Sequence, residues 1–232
     1  MLSHLLIDRG DIRSYVIGLL LSLPIVLLAL SVHETAHGFA AYKLGDPTAR
    51  SYGRLTLNPL KHLDPIGTVC MLLFGFGWAR PVPINSRYFK KPRRDMAITA
   101  LAGPVSNLLM ALIFGLLFNV WLYLMLEVIP FNSALAVDMA WYFYVFLYYG
   151  VSLNVTLAVF NLLPVPPLDG SRIVSAFLPP KAAYAYIKYE RIISLVLMVA
   201  LFVGVLSPVI SIASDFLMEK IFYVTGFWWE LI

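Results

Sequence analysis

Nineteen consecutive uncharged residues, Ser14 to Val32, run straight into His33-Glu34-Thr35-Ala36-His37. A stretch of that length and polarity crosses ~30 Å of hydrocarbon only as a helix, because lipid offers no partner to a free N–H or C=O. The sequence therefore predicts one continuous helix, reaching about Leu44, where Gly45-Asp46-Pro47 stops it. Two imidazoles four positions apart share one face of such a helix. That spacing suits two ligands of a single zinc ion, with Glu34 beside them as a candidate base for a water on the metal. Holding such groups at the edge of lipid costs about 2.5–3.5 kcal/mol for each charged side chain. The cost points to chemistry at that depth.

The rest of the chain agrees with a bilayer setting. Apolar residues make up 60% of it and the mean hydropathy is +0.82, well above a soluble domain, which excludes a water-soluble globular enzyme. Further uncharged stretches cover Met96–Leu126, Met139 to about Leu163, and roughly Ile192 to Ser207, ending at Pro208. The fourth is short for a span unless Tyr184–Arg191 extends it. Beyond Pro208, Asp215, Glu219 and Lys220 interrupt the pattern and Trp228-Trp229 suits an interface, so a fifth helix is expected to span or to lie at the surface. Pro65–Ala79 is apolar but short, which fits a re-entrant or partly buried element.

Ala49 to Leu57 reads as a small β-hairpin, and Ala79 to Phe89, broken by Pro81 and Pro83, reads as extended. The expected fold is thus an all-α multi-pass membrane protein. It is a bundle of about four to six helices with a small β-hairpin or extended sheet on the cytoplasmic side. A single domain over residues 1–232 is expected, with its core at about 14–178 and C-terminal helices at about 184–232. The apolar run after Arg13 is too long for the core of a cleavable signal, and Cys70 has no second cysteine to pair with.

Charge sets the expected orientation. Residues 43 to 95 hold ten Lys or Arg against three Asp, a local excess larger than the net +4 of the whole chain. Arg172, Lys181, Lys188 and Arg191 add to the same side, while residues 127 to 138 contain no Lys or Arg. By the positive-inside rule the N-terminus lies outside and the basic loops face the cytoplasm of a cell membrane. The cluster Lys90-Lys91-Pro92-Arg93-Arg94 then reads as a topology anchor at lipid headgroups, and no nucleic-acid partner is expected.

A zinc site that works on substrate takes three protein ligands and leaves a position for water. His4 falls on the wrong side under this topology. His62 lies in a loop on the correct side, and spacing alone leaves it open. Asp169 is better placed, at the cytoplasmic end of the third span. Pro164, Pro166 and Pro167 stop the helix just before it, and Gly170 permits a close backbone approach. Asn107 reads as a structural polar contact where Gly103 and Pro104 let helices come together.

Three segments occur in an order that resembles one family. They are His33 to His37, Gly103-Pro104-Val105-Ser106-Asn107, and Asn161 to Asp169-Gly170. The chain resembles the site-2 protease family of intramembrane zinc metalloproteases, in particular its small members without PDZ or CBS domains. The resemblance implies that His33, His37 and Asp169 bind one Zn2+ per chain, that Glu34 is the catalytic base and that Asn161 helps to hold the substrate. It implies an endopeptidase cutting in or near transmembrane helices of membrane-anchored proteins.

Such a substrate must unwind locally. An extended edge at Arg50–Leu57 or Val82–Asn85 is expected to partner its freed backbone. The competing reading is a non-proteolytic membrane metal-binding protein or transporter, since buried His and Asp also line ion paths. Against it, the polar groups gather at one depth and no inverted repeat is visible. A client-binding pseudoprotease would have no use for Glu34. Oligomeric state is not legible.

Overall fold

The computed structural model describes residues 12–74, 77–227 and 229. His4 and Trp228 lie outside the described residues. Among the described residues, three helices are long and apolar enough to cross a membrane, and they set the frame. The first, α1 (Ile12–Lys43), carries the His33–His37 motif without a break. After a helical turn, α2 (Thr48–Ser51), and a short helix, α3 (Pro65–Phe74), comes α4 (Pro92–Tyr123). A π-helical turn at Leu124–Val128 follows, and then α5 (Ala134–Leu162). Qualifying apolar stretches are Val16–Lys43, Pro92–Val128 and Ala134–Leu162. Side chains such as Leu20, Leu109, Ile113 and Leu117 stay exposed on them, as lipid-facing positions of a multi-pass membrane protein do.

The shorter helices follow: α6 (Asp169–Phe177), α7 (Pro180–Lys188), α8 (Glu190–Val203) and α9 (Ser207–Gly226). The expected fourth stretch, Ile192–Ser207, is divided differently. α8 ends at Val203, where Gly204 takes a left-handed conformation with φ of 80°. Pro208 begins α9 instead of ending a helix, since its missing N–H costs nothing in a first turn. α8 and α9 qualify for spanning only as a bent pair.

The expected hairpin over 49–57 is not there. Asp46 Oδ1 accepts the Thr48 N–H at 2.9 Å, an Asx turn that leads into α2. The turn is closed by Gly53 N–H to Arg50 C=O and Arg54 N–H to Ala49 C=O, both 2.9 Å. Gly53, with φ of 63°, supplies the left-handed residue this closure needs. Local turn chemistry thus overrides the hairpin expected over 49–57. Among the described residues, β pairing is limited to one antiparallel bridge, Leu63 with Ala79.

The chain divides into two compact units. One comprises Met1–Val26, Leu108–Leu157 and Leu206–Ile232. Its core sets Ile25 against Val145 and Tyr149, and Phe118 packs its ring 4.8 Å from those of Tyr144 and Phe222. Asn119 Nδ2 donates to Thr225 Oγ1 at 2.8 Å and to Gly115 C=O at 3.1 Å. The other unit comprises Leu27–Asn107 and Ala158–Val205, and contains every residue of the site described next.

Candidate metal centre

His33 and His37 are both buried, at 5% and 6% exposure. Their Nε2 atoms lie 3.0 Å apart, and each is 3.1 Å from Asp169 Oδ2. The three atoms form a nearly equilateral triangle. The far side of each ring decides what this means. His37 Nδ1 lies 2.7 Å from the Thr99 carbonyl, an oxygen that can only accept, so Nδ1 carries the proton. His33 Nδ1 lies 2.6 Å from Asn107 Oδ1, and Asn107 Nδ2 donates to the Ala29 carbonyl at 3.3 Å, which fixes the amide's orientation. His33 therefore also keeps its proton on Nδ1. Both Nε2 atoms are then bare lone pairs, and they converge with a carboxylate oxygen on one point. Three acceptors without a shared proton repel one another unless a cation sits among them.

A divalent ion fits this arrangement. Ligand atoms ~2.0–2.2 Å from a tetrahedral zinc stand roughly 3.3–3.5 Å apart, slightly more than the edges here. Both imidazoles offer the neutral form that metals bind, and each donates its other N–H to an oxygen, as ligating histidines do. Among the described residues, His33, His37 and Asp169 form the one His, Cys, Asp or Glu group close enough to hold a metal.

Two helices build the pocket around α1. Thr99, Gly103 and Asn107 recur every four residues on α4, so they share one face. A Cβ at Gly103 would come within 2.4 Å of His37 Nε2 and 2.6 Å of His33 Cε1. Only glycine leaves room for both rings. Gly170 does the same for Asp169: a Cβ there would lie 2.3 Å from the Leu162 carbonyl and 2.4 Å from that of Leu163. This is the close approach the sequence predicts for Gly170, and it lets α6 start directly beneath the end of α5.

Glu34 is half-buried, and its Oε2 accepts the Val82 N–H at 2.7 Å. Asn161 sits half-buried in the last turn of α5. His62, the open alternative for a third ligand, is 1% exposed and donates from Nε2 to the Thr56 carbonyl at 2.7 Å, apart from the triad. Nearby, burial pushes the Arg54 guanidinium below its ordinary value, while the Glu34 carboxylate opposes this and Arg80 adds to it. Sequence reasoning misses Thr99 and undervalues Asn107. For Asn107 the signal was its place one turn from Gly103 on the same face of α4, whereas Thr99 acts through its backbone carbonyl.

The profile described as Peptidase family M50 matches residues 21–205. The chain belongs to this family, the site-2 proteases. Relatives bearing the name Putative zinc metalloprotease agree with that. YwhC of Bacillus subtilis is 49% identical over 156 residues, covering 67% of this chain and 68% of YwhC. Rip2 of Mycolicibacterium smegmatis is 33% identical over 178 residues, covering 74% of this chain and 62% of Rip2. The chain thus spans about two thirds of the length of these relatives. No solved structure matches it. The chain is a zinc metallopeptidase by family, and the triad is the place in it where zinc fits.

Proposed function

We propose that this protein is an intramembrane endopeptidase that hydrolyses peptide bonds in or near transmembrane helices of membrane-anchored proteins. The observation that carries the reading is the convergence of two proton-free Nε2 atoms and the Asp169 carboxylate at 3.0–3.1 Å, beside a glutamate on the same helix. His33, His37 and Asp169 would hold one zinc ion. When bound, such an ion supplies Lewis acidity, bringing the pKa of a water toward ~7 and polarising a carbonyl.

The chain's own residues do the rest. Asn107 and the Thr99 carbonyl keep both imidazoles in the tautomer that presents Nε2. Glu34 is the base. With Oε2 held by the Val82 N–H, Oε1 takes a proton from the attacking water and later gives it to the departing amine. A carbon–oxygen bond forms, the peptide carbon–nitrogen bond breaks, and the proton ends on the new amino group. Asn161, in the last turn of α5, is assigned to holding the substrate backbone.

A helical substrate hides its carbonyls in hydrogen bonds four residues back, so it must unwind before attack, and helix-breaking residues ease this. The excess of Lys and Arg in the loops supports, by the positive-inside rule, a catalytic face toward the cytoplasm and an N-terminus outside. Product analysis by mass spectrometry on membranes with wild-type and Glu34→Gln protein tests the reading. Cleavage products should vanish in the variant while bound zinc remains at one per chain. Equal cleavage by both proteins would overturn it.

A further inference from the structure

The Glu34 carboxylate is held by a backbone amide, so whatever sets that amide sets the base. Val82 lies in a segment with prolines on either side, Pro81 and Pro83, neither of which has an N–H. The segment is pinned at both ends. At one end the Arg80 N–H donates to the His62 carbonyl at 2.7 Å, and the Arg80 carbonyl accepts from Arg54 Nη2 at 2.6 Å. At the other, the Asn85 N–H donates to Asp46 Oδ2 at 2.7 Å. Val82 itself is 6% exposed, and its side chain packs against Gly38 on α1.

Arg54 is the unusual member. It is 8% exposed, and among the described residues it is the buried Lys or Arg of this chain. Its Nε is buried without a hydrogen-bond partner. A buried guanidinium with an unmatched nitrogen is costly, and neighbouring basic residues of the same loops stay at the surface. Among the described residues its guanidinium makes one hydrogen bond, to the carbonyl of Arg80, two positions before Val82.

We infer that Arg54 is a positioning residue for the proposed reaction: by holding the Arg80 carbonyl it fixes the Val82 N–H, which in turn orients the Glu34 carboxylate. The inference rests on Glu34 being the base. It concerns geometry and not metal binding, since neither Arg54 nor Val82 touches the triad. Loss of the Arg54 bond should therefore lower the turnover number and leave zinc and substrate affinity in place.

The test uses full-length protein in lipid nanodiscs, with Arg54→Met and Arg54→Lys. The first removes charge and donor, and the second keeps a charge and one donor. Hydrogen exchange read by mass spectrometry is unusually direct here, because Val82 carries the one exchanging amide between Arg80 and Ile84. Exchange at Val82 should speed up about tenfold or more in Arg54→Met, and also in Glu34→Ala, where the acceptor is gone. On a synthetic single-span peptide with a central Asn-Gly-Pro break, kcat of Arg54→Met should fall on the order of ten- to a hundred-fold with KM nearly unchanged. Zinc should stay at one per chain, and Arg54→Lys should recover part of the rate.

Unchanged Val82 exchange in Arg54→Met would overturn the inference. So would loss of zinc and fold in both Arg54 variants, which would assign Arg54 to the scaffold alone. Failure of the protease reading looks different: wild-type protein without zinc, or Glu34→Gln as active as wild type, with Val82 exchange still dependent on Arg54.

Discussion

Each compact unit buries an asparagine on α4, and the two are used in opposite ways. Asn119 closes on its surroundings: its amide N–H groups reach the Thr225 hydroxyl and the Gly115 carbonyl, and Thr225 in turn donates to the Ile221 carbonyl. Every bond there ends in a satisfied backbone or hydroxyl oxygen. Asn107 instead spends its oxygen on the Nδ1–H of His33 and so leaves Nε2 bare. The first network stops inside the protein. The second ends in lone pairs that need something from outside. A buried polar group in a membrane helix marks a functional site when its network terminates in unmatched acceptors, and a structural contact when it does not.

Four substitutions break or sharpen that contrast. Asp169→Ala removes one of three acceptors and should reduce bound zinc from one per chain to near none, abolishing turnover, as measured by metal analysis of purified protein. Gly103→Ala should act almost as strongly, because the new methyl group overlaps His37 Nε2 at 2.4 Å. Wild-type zinc content in this variant would show that α4 does not pack as described. Asn107→Ala keeps all three ligands and loses only the tautomer control on His33. Zinc affinity should fall about 10–100-fold, the usual cost of removing such a partner, as read by competition with a chelator. Asn119→Ala should leave zinc affinity untouched and lower thermal stability by about 0.6–1.7 kcal/mol. A zinc defect in Asn119→Ala would erase the distinction between the two asparagines.

Much of this site could be read from the sequence because its elements are local. His33, Glu34 and His37 sit within five residues of one apolar helix, and Asp169-Gly170 directly follows a run of prolines that must end another. The three long helices could be read for the same reason, since lipid demands an apolar run of fixed minimum length. Other features depend on which faces meet. Thr99 contributes a backbone carbonyl, which no side-chain pattern announces, and Asn107 is one polar residue among several in α4 until its partner is known. Val82 contributes a backbone N–H to Glu34 in the same silent way. The turn at 48–54 misled for a different reason: an Asx turn at Asp46 and a left-handed glycine at 53 close it as a helical turn and not as a hairpin. Pro208 misled because proline ends a helix from within but starts one from its first turn.

The central claim concerns three atoms on two helices, and X-ray absorption at the zinc edge on purified wild-type protein addresses it most directly. The account predicts one zinc per chain with only nitrogen and oxygen neighbours at ~2.0–2.2 Å, two of them showing the outer-shell pattern of imidazole. In Asp169→Asn the oxygen contribution and the metal occupancy should fall together. A wild-type protein that binds no zinc, or a spectrum that Asp169→Asn leaves unchanged, would contradict the account.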